Sequence, residues 1–247
     1  MKAVVLAGGK GTRLAPYTKI LPKPLMPIGD MPVLEVLLRQ MKRAGIDEVV
    51  LTVGHLAELL RAFFNDGGHL GIKISYSFEE TPLGTAGPLT LVEGLEDTFL
   101  VANGDVLTNM ELNSLIRFHK ESGAAATIAM HRRRVKIDLG VIQTDGDNQV
   151  VGYIEKPTYD YLVSMGIYVF EPKVLSYIPR SEYLDFPDLV QRLLGGREKV
   201  AGYPFDGYWQ DLGRQDDYEQ ANLDFENMKA DFLPEEMPAN ELANSIS

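Results

Sequence analysis

Lys2-Ala3-Val4-Val5-Leu6-Ala7-Gly8-Gly9-Lys10-Gly11-Thr12-Arg13-Leu14 is the stretch that decides the fold. The apolar run Ala3 to Leu6 reads as a buried strand. The glycines at 8, 9 and 11 end it in a loop whose backbone amides can approach an anion. Arg13 adds a full positive charge, and Lys23 adds another from the stiff segment Pro22-Lys23-Pro24. Together these features point to phosphate, delivered as part of a nucleotide. Two other glycine loops fail by position. The dinucleotide fingerprint wants a third glycine where Leu14 stands, and the Gly-Lys-Ser/Thr that closes a P-loop is absent.

Outward from this stretch the chain alternates strand-like and helix-like segments. Lys2 to Ala7 and Glu48 to Val53 are short β-branched runs, and between them Val33, Leu34, Leu37, Leu38 and Met41 recur at helical spacing. A helix near Ala57 to Phe64, a strand at Lys73 to Ser77, a helix from about Ala86 and a strand at Thr98 to Ala102 continue the rhythm. Such alternation predicts an α/β fold with a doubly wound, mostly parallel, Rossmann-like sheet whose ligands lie beyond the strands' carboxyl ends.

After residue 124 the pattern changes to strands at Ala126 to His131, Gly140 to Thr144 and Val150 to Glu155, with a turn over Asp145-Gly146-Asp147-Asn148. This predicts a small β-hairpin lobe beside the main sheet. Met165 to Phe170 returns as a strand, and Phe186 to Leu194 and Tyr218 to Met228 as helices. One catalytic domain is expected over residues 1–228, with a loosely ordered tail over 229–247.

At 247 residues, 45% hydrophobic, the chain can bury one sizeable core. It carries no cysteine, which excludes disulfides, thiolate metal sites and cysteine nucleophiles. A formal net charge of −11 argues against nucleic acid as a partner. No stretch approaches a membrane span and no signal segment opens the chain, so a cytoplasmic location is expected. An acidic protein that binds nucleotides must gather positive charge locally or recruit a cation.

Asp105, just past the run Phe99 to Ala102 and after Asn103-Gly104, fits a hard oxygen ligand for Mg2+; the same residues would also serve a turn leading to a helix cap. Gly84-Thr85-Ala86-Gly87-Pro88, after Glu79-Glu80, offers small residues and free amides to a flat base, or simply a loop into a helix. In Glu155-Lys156-Pro157 the proline ends a strand and leaves Lys156 at the sheet end. His55, His69, His119 and His131 show no helical zinc spacing and read as structural or surface residues. Arg132-Arg133-Arg134 reads as a solvated loop, or a contact for a neighbouring subunit or a regulatory anion.

The block from Leu6 to Pro27, Leu-Ala-Gly-Gly-Lys-Gly-Thr-Arg-Leu-Ala-Pro-Tyr-Thr-Lys-Ile-Leu-Pro-Lys-Pro-Leu-Met-Pro, resembles the signature of the sugar-1-phosphate nucleotidyltransferases, the nucleoside-diphosphate-sugar pyrophosphorylases. Agreements run to about residue 225, without the extra β-helix domain that some members carry. The resemblance implies transfer from a nucleoside triphosphate to a sugar 1-phosphate with Mg2+, and no nucleic-acid or membrane partner.

By the same resemblance the nucleotide is held by Leu6, Ala7, Gly8, Gly9, Gly11, Thr12, Arg13, Lys23, Glu80, Gly84, Thr85, Ala86, Asn103 and Gly104. Asp105 and Asp211 of Tyr208-Trp209-Gln210-Asp211-Leu212-Gly213 hold the metal. Gly140, Glu155, Lys156 and Gly166 hold the sugar phosphate, and Arg13, Lys23, Asp105 and Lys156 carry catalysis. The match is nearest the guanylyl branch, with GTP and mannose 1-phosphate. Alternatives are a heptose 1-phosphate, or thymidylyl, uridylyl or adenylyl transfer. Leu139 and Arg214-Gln215 depart from the family's pattern and bear on the sugar. A homo-oligomer is expected. Rival readings are a non-catalytic regulatory subunit that binds a nucleotide sugar, and a glycosyltransferase using Asp145-Gly146-Asp147.

Overall fold

A computed structural model of the chain describes residues 1–234. Its strands are β1 (Lys2–Leu6), β2 (Pro27–Ile28), β3 (Met31–Pro32), β4 (Glu48–Val53), β5 (Lys73–Phe78), β6 (Phe99–Asn103), β7 (Val106–Thr108), β8 (Ala126–Lys136), β9 (Val141–Thr144), β10 (Val150–Ile154), β11 (Thr158–Phe170), β12 (Val200–Phe205) and β13 (Trp209–Asp211). Its α-helices are α1 (Val33–Arg43), α2 (Ala57–Phe64), α3 (Leu112–Ser122), α4 (Phe186–Gly195) and α5 (Gln215–Phe232).

Seven strands form the central sheet in the order β12-β8-β11-β6-β1-β4-β5. Neighbours run parallel except at β11, which is antiparallel to both β6 and β8. From β1 the chain adds β4 and β5 on one side, then crosses to β6 on the other. The carboxyl ends of β1 and β6 therefore flank the switch point, with Leu6 opposite Asn103, and an open α/β sheet leaves a ligand crevice there.

Hydrophobic spacing explains the layers. Leu34, Leu37, Leu38 and Met41 of α1 sit with Leu60 and Phe64 of α2 and Leu115 and Ile116 of α3 against one face of the sheet. Phe186, Leu189 and Leu193 of α4 cover the other face with Phe99 and Phe170. Burying each of these large side chains contributes on the order of 2 kcal/mol. A third cluster joins Ile28, Leu107 and Leu212 to Phe225 and Phe232 of α5.

The structure corrects the sequence reading in three places. No α-helix starts at Ala86; Gly87–Leu91 is a single 3-10 stretch with Pro88 in its first turn, and the backbone is extended again at Val92. Arg132-Arg133-Arg134 is strand, not loop, because β8 runs on to Lys136 and pairs with β11 from His131↔Val163 to Lys136↔Thr158. This ladder projects as an exposed arm, and β9 and β10 close it as the expected hairpin. Residues 229–232 are not tail: after a kink at Met228 the chain turns on as helix to Phe232, fully buried against Phe225 and Tyr208 at ring distances of 5.4 and 5.2 Å. The rest of the expected tail, residues 235–247, lies outside the described residues.

Candidate active site

The β1 loop leaves the sheet at the switch point and forms one wall of a cleft of about 440 Å³. Leu6, Ala7, Gly8, Gly9, Gly11 and Arg13 line it along one side and Asn103 and Asp105 along the other. Gly84, Thr85, Tyr183 and Asp185 line it as well. The Gly8 backbone packs close to Glu79: a Cβ there would stand 2.7 Å from a carboxylate oxygen of that side chain, which would have to move aside. Thr52, at the end of β4, lines the cleft with a buried hydroxyl that has no hydrogen-bond partner. Among the described residues this is a buried polar atom without a partner, which costs about 1–3 kcal/mol.

Lys23 is the centre of charge. Its segment is a 3-10 turn, Lys23–Leu25, fixed by Pro22 and Pro24 and anchored by buried Leu25. The ammonium donates to Asp105 and, at 3.2 Å, to Oδ1 of Asp211. The side chains are 11% exposed for Lys23, 22% for Asp105 and 46% for Asp211, so the cluster opens to solvent on the Asp211 side. Asp211 arrives there because β13 pairs with β7, Asp211 opposite Val106, which follows Asp105 directly. Residues separated by most of the chain thus meet at one sheet end.

Among the described residues no three His, Cys, Asp or Glu side chains gather as a metal cage. Two carboxylates completed by water and substrate oxygens are nevertheless the donor set a hard dication of Mg2+ type takes. With Lys23 between them, the aspartates are neutralised by a side chain that a cation could displace.

Of the residues singled out from the sequence, Leu6, Ala7, Gly8, Gly9, Gly11, Arg13, Lys23, Gly84, Thr85, Asn103 and Asp105 line the cleft. Thr12, Glu80, Ala86 and Gly104 do not line it. Glu80 is exposed, and its neighbour Glu79 lines the cleft instead, accepting the Leu83 amide at 3.1 Å. Burial pushes the Glu79 carboxyl above the usual range, with the Leu83 bond opposing.

The amides of Ala86 and Gly87 are not free for a base, because both donate to the Leu184 carbonyl, at 2.8 and 3.1 Å. The Thr85 amide and hydroxyl are likewise taken by Asp185, at 2.9 and 3.1 Å. Tyr183, whose hydroxyl donates to Asp185 at 2.7 Å, is the exposed aromatic ring at this end. Neither Tyr183 nor Asp185 was singled out from the sequence, where no motif marks them.

The expected sugar-phosphate residues divide. Gly166 has φ +72°, and a Cβ there would lie 2.5 Å from Nδ2 of Asn103, so it abuts the cleft wall. Gly140, Glu155 and Lys156 gather on the hairpin lobe. There the Tyr153 hydroxyl lies 2.0 Å from where a Gly140 Cβ would stand and donates to Glu155 at 3.1 Å. Glu155 and Lys156 are exposed and line neither this cleft nor the cavity beside it.

His119 is structural, as expected: wholly buried, it lies 2.8 Å from the Thr127 hydroxyl and 3.0 Å from the Glu171 carboxylate. Asp145, the first residue of the Asp-x-Asp pair, accepts the Asp147 and Gln149 amides inside the hairpin turn, at 2.9 and 3.0 Å. That is a turn role.

A mostly parallel sheet that opens at its switch point on a glycine loop, with one lysine clasped by two aspartates, defines a Rossmann-like α/β protein. The chain belongs to the nucleotidyl transferase family, whose profile matches residues 2–228. It is 38% identical over 232 residues to a Mycobacterium tuberculosis mannose-1-phosphate guanylyltransferase, covering 90% of this chain and 64% of that protein. It is 36% identical over 241 residues to a Synechocystis UTP–glucose-1-phosphate uridylyltransferase, covering 90% and 62%. The chain thus spans under two thirds of the length of these relatives. A solved Bacillus anthracis structure assigned as a glucose-1-phosphate thymidylyltransferase superposes with a TM-score of 0.73 at 25% identity, covering 90% of this chain and 94% of that one. HddC from Yersinia pseudotuberculosis shares the fold with a TM-score of 0.70 at 23% identity, covering 91% and 99%.

Proposed function

We propose that the protein joins a nucleoside triphosphate to a sugar 1-phosphate and releases pyrophosphate. A phosphate oxygen of the sugar 1-phosphate bonds to the α-phosphorus. The bond from that phosphorus to the oxygen bridging to the β-phosphorus breaks, and pyrophosphate leaves with the electron pair. The acceptor phosphate is already largely dianionic at neutral pH, so no side chain need act as a base. Alignment and charge neutralisation supply the rate.

The observation that carries this reading is Lys23 clasped between Asp105 and Asp211 beside the glycine loop. In the reading, Arg13 and Lys23 hold the triphosphate, and the backbone of Gly8, Gly9, Gly11 and Thr12 cradles it. Asp105 and Asp211 hold Mg2+, which would neutralise charge on both polyanions. Thr52 and the Gly84-Thr85 edge with Tyr183 border the nucleoside. Glu155 and Lys156 on the lobe, with the Gly140 and Gly166 backbone, hold the sugar and its phosphate. The charged phosphate and metal residues of the scheme, Arg13, Lys23, Asp105, Lys156 and Asp211, are all present, which favours an enzyme over a non-catalytic regulatory subunit.

GTP with mannose 1-phosphate is the preferred pair, supported by guanylyltransferase relatives from M. tuberculosis and Xenopus tropicalis at 38% and 34% identity. UTP with glucose 1-phosphate is the second reading, favoured by the Synechocystis relative at 36%. The reading also takes the protein to act in the cytoplasm as a homo-oligomer; no helix among the described residues is long and apolar enough to cross a membrane. Five triphosphates titrated against several sugar 1-phosphates, scored by pyrophosphate, test the reaction. Release with GTP and mannose 1-phosphate above all other pairs is expected, and no release with any pair would reject it.

A further inference from the structure

Beyond the nucleotide cleft lies a second cavity of about 420 Å³ whose lining holds five arginines against two aspartates, in a protein of net charge −11. Arg13 lines both cavities, and the Lys23–Asp211 ion pair joins them. Arg132 and Arg133 come from the arm of β8, just past His131, the last β8 residue paired with β12. Arg214 comes from the other side, immediately before the first turn of α5. The ring of His131 lies 5.5 Å from that of Trp209, which fixes the arm against β13 at this point.

The arginines are not spent on the fold. Arg134 is engaged with Asp160 at 3.3 Å, and Asp211 with Lys23. Among the described residues Arg13, Arg132, Arg133 and Arg214 make no ion pair and no side-chain hydrogen bond. Four arginines without an ion pair line one cavity, and an anion with several oxygens that enters it could accept their forked donors.

We propose that Arg132, Arg133 and Arg214 act with Arg13 as the seat of the pyrophosphoryl group: the β- and γ-phosphates of the bound triphosphate and the pyrophosphate formed from them. This rests on the proposed reaction, and it names residues that the reaction by itself does not require. Charge decides between the reactants. Pyrophosphate carries more negative charge than a phosphate monoester, and the lobe offers the monoester one lysine, Lys156, while this cavity offers four unpaired arginines. Position agrees, because the cavity opens from Arg13, where the triphosphate tail ends. The seat would draw the leaving group away from the α-phosphorus along the arm.

The test is calorimetric titration of the full chain with inorganic pyrophosphate and, separately, with mannose 1-phosphate, using the wild type, the double variant Arg132→Ala/Arg133→Ala, and Arg214→Ala. Each variant is expected to bind pyrophosphate at least about tenfold more weakly, the loss of one charge-assisted contact, and mannose 1-phosphate within about twofold of wild type. The double variant with lysine at both positions should recover most of the affinity, since charge is retained. Unchanged pyrophosphate binding would overturn the seat, and so would a loss confined to mannose 1-phosphate. If no triphosphate and sugar phosphate pair turns over, the proposed reaction falls, yet arginine-dependent pyrophosphate binding would still hold up the seat. If the wild type does not bind pyrophosphate, the seat falls while the turnover results stand.

Discussion

The two cavities handle positive charge in opposite ways. In the nucleotide cleft the decisive cation, Lys23, is 11% exposed and already locked to two carboxylates. In the neighbouring cavity Arg132, Arg133 and Arg214 stand on an exposed arm and a helix start with nothing to hold them. A buried ammonium must be paired because desolvation penalises it, whereas an exposed guanidinium can wait in water for its ligand. The difference teaches that in the cleft the fold itself supplies the counter-charge, while among the described residues it supplies none to Arg132, Arg133 and Arg214.

The sharpest way to break this contrast is Asp105→Asn. It removes one charge from the pair proposed for the metal and should cut turnover by about 10² or more while the fold survives. Steady-state pyrophosphate release at saturating Mg2+ checks it, and near-normal turnover would take Asp105 out of the site.

Lys23→Met comes next. It leaves Asp105 and Asp211 facing each other without their cation and should cost about 1–3 kcal/mol of stability, discounted for the exposure of Asp211. Added Mg2+ should raise the melting temperature of this variant more than that of the wild type. An equal rise in both would show that the carboxylates do not share a cation.

Thr52→Val removes the unpartnered hydroxyl and should stabilise the nucleotide-free protein by about 1 kcal/mol while weakening nucleotide binding by a similar amount. Denaturant melts and triphosphate titrations read the two signs. A loss of stability instead would mean that the hydroxyl is satisfied in solution without nucleotide.

The smallest effect is a pH dependence. Burial raises the Glu79 carboxyl in the folded state, so the native protein holds this proton more tightly than the unfolded chain. Stability is therefore undiminished below the unfolded value and falls as pH rises through the raised folded value. Glu79→Gln, which keeps an acceptor for Leu83, should match wild type in acid and exceed it by a few tenths of a kcal/mol at neutral pH. Identical melting curves across pH would contradict the shift.

The parallel half was legible because buried strands leave a continuous apolar record. Glu48–Val53 and Ala57–Phe64 emerge with the expected bounds, and Leu6 meets Asn103 as the alternation required. The arm was not, because Arg132 to Lys136 face solvent and show no apolar period. β12 was hidden by Gly202 and by Pro204, which an edge strand tolerates. α3 was hidden by His119, which fills an apolar position by pairing with Thr127 and Glu171.

At the site, Arg13, Lys23 and Asp105 followed from local chemistry and Asp211 from resemblance. Glu79, which lines the cleft, stands just past the end of β5, beside the exposed Glu80 that the sequence singled out. Tyr183 and Asp185 were missed because nothing local marks a residue that reaches the cleft only through α4 packing.

The central claim is that Lys23 holds a place between Asp105 and Asp211 that a dication takes when triphosphate binds. A crystal structure of the protein with Mg2+ and a non-hydrolysable triphosphate tests it most directly. The account predicts a metal ligated by both carboxylates, with the Lys23 ammonium moved onto phosphate oxygens. A triphosphate bound in the cleft with Lys23 still bridging the two aspartates, and the metal elsewhere, would contradict it.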